Sequence, residues 1–414
     1  MKEKLEKLPF YNQMVLPYHF AGAAAAGIKY KFPAKKMRVI GVTGTNGKTT
    51  TCFMIWKMLN EAGHKTGLLT TVAWGVDKLQ KQIEHMTTVD SKTLNSRIEK
   101  VRETGAEFLV LEVTSHAMAQ FRTLGIPVEI AVMTNVTHDH LDYHKTFERY
   151  RDAKRKLFKK AKYGVINADD KSAKYFKQDV KEYVTYGING GEKRAKKIAL
   201  AASGVEYVCD EMKIKTQIPG NFNVYNSLAA MCVGEKLGLS KEEIEKGIFA
   251  LAEVEGRMNR VNEGQNFEVI VDYAHTPDAL EKVFNSVNGH KGRIISVHGG
   301  AGRRDESTRP IRGEILGKNS DIVIVTEDDS RDEDPEKIAA AFVEGAKKAG
   351  KKMDKDLFVE IDRGKAIEMA IKMAKKGDLV LLLGKGHEKT ILRKEGPVPF
   401  EDLKVARKVL KGLK

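Results

Sequence analysis

The run Gly41-Val42-Thr43-Gly44-Thr45-Asn46-Gly47-Lys48-Thr49-Thr50 has the residue types that hold a nucleotide triphosphate. Glycines let backbone N–H groups approach phosphate, and the N-terminus of a following helix favours an anion. Lys48 neutralises β- and γ-phosphate charge, and the Thr49 hydroxyl suits Mg2+. Gly41 to Gly47-Lys48-Thr49 is one residue longer than the common phosphate-loop spacing. An apolar run precedes it and a helical pattern follows, which separates it from a simple Gly/Thr-rich turn. Gly44, Thr45, Asn46, Gly47, Lys48, Thr49 and Thr50 are therefore the candidate ATP contacts. Such a loop serves kinases, GTPases, motors and ligases alike, so the reaction must be read elsewhere.

Two further clusters close strand-like runs. Glu112 ends Phe108–Leu111, and His140 lies in Thr137-His138-Asp139-His140-Leu141-Asp142-Tyr143-His144. Ligands of open α/β sheets sit beyond the carboxyl ends of strands, where the phosphate loop also lies. Glu112 and His140 are thus placed to meet the phosphates. A carboxylate suits Mg2+, while a histidine is a less usual Mg2+ ligand and admits Mn2+. The bland alternative for His138, His140 and His144 is a zinc site or polar packing, and no cysteine supports zinc.

These residues need a scaffold that gathers strand ends. Met37–Val42, Phe108–Val113, Ile130–Asn135 and Tyr163–Asn167 are β-rich runs with helical stretches between, the first from Thr49 to Ala62. That rhythm predicts a parallel sheet covered by helices. A second series, Val269–Asp272, Ile294–His298, Ile322–Thr326 and Leu379–Leu383, predicts a separate doubly wound unit. The fold class expected is α/β: a phosphate-loop ATPase domain with a parallel sheet, then a smaller Rossmann-like C-terminal domain. The expected divisions are a short N-terminal segment, 1–36, a central domain, 37–256, and a C-terminal domain, 257–414. Ile188–Ile218 reads as hairpin-like and peripheral, and a helix from Asn223 to Leu237 closes the central domain.

The chain has 414 residues, enough for about two to three domains. Its 42% hydrophobic and 31% charged residues exclude a disordered chain. No apolar run reaches the roughly 18 residues of a membrane span. Phe20–Ile28, with Lys2, Lys4 and Lys7 upstream, is no signal peptide, because Glu3, Glu6, Pro17 and His19 break the pattern. Cys52, Cys209 and Cys232 are scattered and point to a reducing cytoplasm. The net charge of +15 suits anionic partners. Nucleic acid is nevertheless not expected, because the lysines are spread out and many fall on helix surfaces, as in 154–162.

Eight motifs occur in order: T-G-T-N-G-K-T-T, E-V-T-S-H-A, T-N-V-T-H-D-H-L-D-Y-H, N-A-D-D (Asn167–Asp170), G-N-F-N-V-Y-N (Gly220–Asn226), G-R-M (Gly256–Met258), D-Y-A-H-T-P-D-A-L (Asp272–Leu280) and G-K-G-H-E (Gly384–Glu388). Together they resemble the Mur ligase family of peptidoglycan synthesis. Within it the resemblance is to the ligases that extend UDP-N-acetylmuramoyl-L-alanyl-D-glutamate with an amino acid. The resemblance implies ATP-dependent amide formation through an acyl phosphate, in the cytoplasm, by a monomer that needs neither nucleic acid nor membrane. It implies ATP and two Mg2+, with Lys48, Glu112, His140 and Lys154 catalytic, and Thr49, Glu112, His140 and Lys154 serving metal. Lys154 falls in a stretch similar to the family's Y-x-x-A-K-x-x-L-F, whose lysine is carbamylated. Without the family it reads as a solvated helix lysine among Arg155, Lys156, Lys159 and Lys160.

By the same resemblance Asn223, Asn226, Arg257 and Asp272 meet the nucleotide, sandwiched between domains; Asp272 also reads as a capping residue of a strand-end turn. Thr87, Thr88, Ser115 and Arg122 would hold the UDP-muramoyl dipeptide, although Val89 replaces a proline and Arg122 also reads as a surface arginine. Arg304, Asp328, Asp329, Arg331, Gly384 and Glu388 would hold the incoming diamino acid. Diaminopimelate-adding members carry D-N-P-R where this chain has Asp328-Asp329-Ser330-Arg331. Arg331 suits the distal carboxylate of meso-diaminopimelate, whereas Asp329 would suit the ammonium of lysine. The segment before the phosphate loop is shorter than the UDP-binding region the family places there. A related ligase with another acceptor, such as folate, and a non-catalytic ATP-binding scaffold are the other readings.

Overall fold

The structure is a computed structural model that describes residues 14–82, 84, 86–201 and 203–413. The expectations for Lys2, Lys4, Lys7, Glu3 and Glu6 lie outside the described residues. The chain divides into two compact units, the first comprising residues 1–218 and 222–252, the second 219–221 and 253–414.

The first unit is built on a sheet ordered β4-β3-β2-β5-β1-β6-β7-β8-β9. Its strands are β1 (Arg38–Thr43), β2 (Thr66–Leu69), β3 (Ala73–Gly75), β4 (Gln80–Lys81), β5 (Phe108–Glu112), β6 (Val128–Met133), β7 (Ala161–Asn167), β8 (Glu182–Gly187) and β9 (Lys193–Arg194). Pairing is parallel from β2 to β9, and the β2–β3 and β3–β4 pairs are antiparallel. The strand of the phosphate loop, β1, lies between β5 and β6. Val42 stands opposite Glu112 and Thr43 opposite Met133, so three strand ends meet at one level.

Helices cover both faces of this sheet. After α1 (Leu16–Lys29), the phosphate loop opens α2 (Lys48–Glu61), which buries Cys52, Met54, Ile55, Met58 and Leu59. Then come α3 (Ser91–Glu103), α4 (Ser115–Ala119), α5 (Leu141–His144) and α6 (Phe147–Phe158). In α6 Tyr150, Ala153, Lys154, Leu157 and Phe158 are buried, an i, i+3, i+4, i+7, i+8 stripe that faces the core. Thr146 starts this helix by accepting from Arg149 N. The segment 188–218 forms β9 and an antiparallel three-stranded sheet of β10 (Lys196–Ala201), β11 (Gly204–Cys209) and β12 (Met212–Thr216). After α7 (Ala173–Lys177), the long α8 (Phe222–Leu237) is buried along most of its length and α9 (Lys241–Phe249) follows it within the same unit.

The second unit has its own sheet, ordered β13-β14-β18-β15-β16-β17 and parallel apart from β13. The strands are β13 (Asn259–Arg260), β14 (Glu268–Asp272), β15 (Ile294–Gly300), β16 (Ile322–Glu327), β17 (Leu357–Val359) and β18 (Leu379–Leu383). Around them lie α10 (Pro277–Ser286), α11 (Thr308–Asn319), α12 (Pro335–Lys348), α13 (Arg363–Met373) and α14 (Asp402–Gly412), with a hairpin of β19 (Thr390–Arg393) and β20 (Gly396–Pro399). Val269, Val271, Ile295, Val297, Ile324, Val380 and Leu382 form the core beneath the sheet's functional edge. Asp272 pairs with Leu383, Leu383 with His298, and Gly300 with Glu327, so these strand ends also gather at one edge. Among the described residues no helix is long and apolar enough to cross a membrane.

Candidate functional site

The phosphate loop is held from below by side chains of two other elements. Gly47 caps α2 with φ of +82°, and a Cβ there would run into Asn226 Oδ1. Thr45 N donates to Asn135 O at 2.8 Å, Asn46 N to Asn135 Oδ1 at 2.9 Å, and Thr134 Oγ1 to Asn46 O at 2.7 Å. Lys48 Nζ folds back onto Thr45 O at 2.7 Å. Asn223 and Asn226 are buried in α8, where Asn226 Nδ2 donates to Asn223 Oδ1 at 2.8 Å and Thr51 Oγ1 donates to Asn226 Oδ1 at 3.3 Å. They brace the helix that the loop opens.

Oxygen donors converge beside the loop. Thr49 Oγ1 lies 3.0 and 3.1 Å from the two Glu112 oxygens. Thr71 donates to Glu112 Oε2 through both its N–H and its hydroxyl, each at 3.0 Å. A buried carboxylate and hydroxyl in contact are the donor set a small hard cation takes, so these residues fit Mg2+. His140 opens α5 with φ of +55°, its Nε2 3.4 Å from Asp139 Oδ2 and its ring 4.7 Å from that of His116. Asp170 Oδ2 accepts from Val136 N at 2.7 Å, which anchors the loop carrying His138 and His140.

Lys154 is no surface lysine, in contrast to the expectation for residues 154–162: only 2% of it is exposed. It sits on the buried stripe of α6, and its Nζ donates to Gly44 O at 2.6 Å and lies 4.4 Å from the Tyr150 ring centroid. Tyr150 hydroxyl in turn meets Thr45 Oγ1 at 2.9 Å. Burial, and then the charge of Lys48, pushes the Lys154 amine well below the usual lysine range. A neutral buried amine is the form that adds to CO2, so this environment fits a carbamate.

The remaining candidates of the first unit cluster at the end of β5. Thr88, preceded by the half-buried Thr87, donates to Glu112 O at 2.9 Å and accepts from Thr114 N at 3.1 Å. Arg122 is not a free surface arginine. Its Nη1 donates to Thr88 O, and Nε and Nη2 reach Gln120 Oε1 at 3.1 and 2.6 Å. Ser115 Oγ meets His144 Nε2 at 3.0 Å. Burial, then Lys154, takes His144 down to about 4, so the imidazole is neutral at pH 7.

The second unit carries its own cluster. Lys385 Nζ donates to Asp328 Oδ1 at 3.0 Å, Asp329 Oδ1 at 2.8 Å and Glu388 Oε2 at 2.8 Å, and the lysine is wholly buried. Asp329 also accepts from Leu392 N at 3.0 Å. Burial raises Glu388 to about 7. Against the burial that opposes ionisation, Lys385 and then Arg363 hold Asp328 below the usual range. Gly384, at φ of +104°, leaves room beside Asp328 and His298. Arg331 Nη1 donates to Gly302 O at 2.7 Å; burial and then the neighbouring Arg304 disfavour its charge. Asp272 accepts from Met258 N and Ala274 N, both at 2.8 Å, and Arg257 lies over the Tyr273 ring at 4.8 Å. Sequence reasoning passed over Lys385, although it stands inside G-K-G-H-E between two selected residues. Tyr150 stands at the head of the Y-x-x-A-K-x-x-L-F stretch but was given no role, and Thr71 carried no motif signal.

Two family models match the chain: the Mur ligase middle domain over residues 42–234, and the Mur ligase, glutamate ligase domain over residues 256–386. A UDP-N-acetylmuramoyl-L-alanyl-D-glutamate--2,6-diaminopimelate ligase of Clostridium acetobutylicum is 39% identical over 394 residues, 93% of this chain and 80% of the relative. This chain belongs to the Mur ligase family. A ligase of the same name from Aquifex aeolicus is 40% identical over 92% of this chain and 79% of its own length. A solved structure of such a ligase has a TM-score of 0.62 at 30% identity, covering 91% of this chain and 79% of that one. The MurF ligase from Thermotoga maritima, solved in complex with ADP, has a TM-score of 0.71 at 21% identity over 94% of this chain and 85% of its own, a likeness of fold alone. The family resemblance and the α/β architecture expected from the sequence both hold. As a Mur ligase, the chain combines a phosphate-loop unit with a ligase unit in the order its motifs indicated.

Proposed function

We propose that this Mur ligase adds a diamino acid, meso-diaminopimelate, to UDP-N-acetylmuramoyl-L-alanyl-D-glutamate at the expense of ATP. The observation that carries the substrate choice is the pair of opposite charge sets in the second unit. Asp328, Asp329 and Glu388 outnumber Lys385 and suit ammonium groups, while Arg331 beside Arg304 suits a carboxylate. An amino acid with two ammonium and two carboxylate groups answers both. Asp329, in place of the family's asparagine, favours the second reading, L-lysine.

In the reaction, the D-glutamate carboxylate attacks the γ-phosphorus of ATP, giving an acyl phosphate and ADP. The amine, having lost a proton, then attacks the acyl carbon, and phosphate leaves as the amide forms. Phosphoryl transfer of this kind depends on positioning and charge stabilisation. The loop N–H groups and Lys48 neutralise the phosphates. Thr88, Ser115 and Arg122 orient the acceptor, with the neutral His144 fixing the Ser115 hydroxyl. Thr49, Glu112, His140 and a carbamate on Lys154 would hold two Mg2+, which supply Lewis-acid charge neutralisation when bound. The test is ATP-dependent phosphate release with the UDP-muramoyl dipeptide and either meso-diaminopimelate, L-lysine or no amine, with products identified by mass. Amide formation with diaminopimelate is expected. Product with lysine alone overturns the amino-acid choice, and no product with any amine overturns the ligase reading.

A further inference from the structure

Arg363 and Asp402 have no exposed side-chain surface and belong to neither candidate site. Arg363 opens α13 and Asp402 opens α14. Their contact is bidentate: Nε to Oδ1 and Nη2 to Oδ2, both at 2.7 Å. The guanidinium then uses its remaining reach on two backbone carbonyls. Nη1 donates to Glu327 O at 3.3 Å, and Nη2 to Leu383 O at 3.0 Å.

Those carbonyls have particular addresses. Glu327 is the last residue of β16 and Leu383 the last of β18. The next residues along the chain are Asp328-Asp329 on one side and Gly384-Lys385 on the other. In the sheet, β15 lies between β16 and β18, so no ladder hydrogen bond joins the two ends directly. Within the sheet, the register between the two strand ends passes through β15, by way of the Leu383–His298 and Gly300–Glu327 pairs. Arg363 bridges over β15 and ties the two ends to one rigid planar fork.

We propose that Arg363, held in place by Asp402, is the positioning residue of the amino-acid site, fixing the separation of Asp328-Asp329 from Lys385. The inference rests on the reading that this cluster receives the incoming amino acid. Burying a guanidinium and a carboxylate is expensive, and well-packed apolar side chains of similar volume commonly stabilise a core as well or better. An ion pair that only filled space would therefore be replaceable. Here the fork does something an apolar pair cannot do: it grips two strand-end carbonyls, and it adds a second positive charge beside three carboxylates that share one lysine. The lowered Asp328 carboxyl, with Arg363 the second favourable charge after Lys385, agrees with that placement.

The same apolar replacement separates positioning from mere packing. The double variant Arg363→Met/Asp402→Leu should stay folded and melt only moderately lower, because neither charge is left unpaired while the Glu327 and Leu383 carbonyls lose one donor. Its KM for the amino acid should rise about tenfold or more, with KM for ATP changed less than about threefold. Arg363→Lys, which keeps a cation beside Asp402 but gives up the planar fork, is the second variant should the double one not fold, and the same KM split is expected from it. An amino-acid KM within about twofold of the unsubstituted enzyme in the folded variant overturns the proposal. A crystal structure of the variant decides the matter whatever the substrate: Lys385 Nζ should leave hydrogen-bond range of Asp328 or Asp329, and an unchanged cluster refutes the positioning role. If the unsubstituted enzyme accepts no diamino acid, the substrate reading fails and the crystal structure still decides this one.

Discussion

Replacing Lys154 by methionine should sharply lower turnover while leaving the fold intact. Methionine keeps most of the stem that fills the stripe of α6 between Tyr150, Ala153, Leu157 and Phe158. It gives up one hydrogen bond, to Gly44 O at 2.6 Å, a loss of about 1 kcal/mol. Against that, it removes an amine whose protonated form burial disfavours. With CO2 removed, so that Lys154 is a free amine, the sign follows from linkage: below pH 10.5 the unfolded chain binds the Lys154 proton and the folded chain resists it, so stability is lost as pH falls from that value. The variant lacks this loss, so its melting temperature relative to the unsubstituted enzyme should improve as pH falls below 10.5. Rate is another matter. Removing one electrostatic partner of a phosphoryl or acyl transition state typically lowers kcat by about a hundred- to a thousandfold. Phosphate release at saturating substrates should fall by that factor. Lys154→Ala, which leaves a cavity in place of the stem, should regain part of its activity with excess formate or acetate. Near-normal kcat in either variant, or no effect of removing CO2 and bicarbonate on the unsubstituted enzyme, refutes the carbamate reasoning.

Glu112→Gln removes the carboxylate that faces the Thr49 and Thr71 hydroxyls; the Mg2+ concentration for half-maximal rate should rise about tenfold or more, and an unchanged Mg2+ titration would count against its metal role. Glu388, raised by burial to about 7, is protonated more readily folded than unfolded, so its contribution to stability falls as pH rises from 4.5 to about 7. Its ionised form is the one that attracts an ammonium, so amino-acid KM should increase as pH drops through about 7, and Glu388→Gln should flatten that profile. Arg331→Ala should raise KM for diaminopimelate by about tenfold to a hundredfold, the share of a charge-assisted pair, and leave KM for L-lysine nearly unchanged; equal effects on both amines would remove Arg331 from the distal carboxylate.

The strands were legible because each is a short apolar run that ends in polar or glycine residues, and the runs Leu379–Leu383 and Phe108–Leu111 agree with β18 and β5 to within a residue. The meeting of Glu112 with Thr49 was harder to read. It depends on β1 inserting between β5 and β6, an ordering that sequence adjacency does not encode, and only the general rule for strand ends anticipated it. Lys154 shows a signal that local composition hid. The crowd of basic neighbours suggests a solvated face, yet Tyr150, Ala153, Leu157 and Phe158 mark the buried stripe, and Lys154 stands on it at i+4 from Tyr150. A lysine on the apolar side of an amphipathic helix has either a buried partner or a chemical task, and this one has the Gly44 carbonyl on the phosphate loop. Lys385 was legible in the same sense, as the one cation inside a motif otherwise chosen for its carboxylate and glycine. Arg363 was not, because its partners lie on strands that are neither consecutive nor adjacent. Motif reading finds groups that touch ligands, since these sit together at strand ends. The groups that hold the strand ends in place are spread through the chain, and only the fold brings them to the same carbonyls.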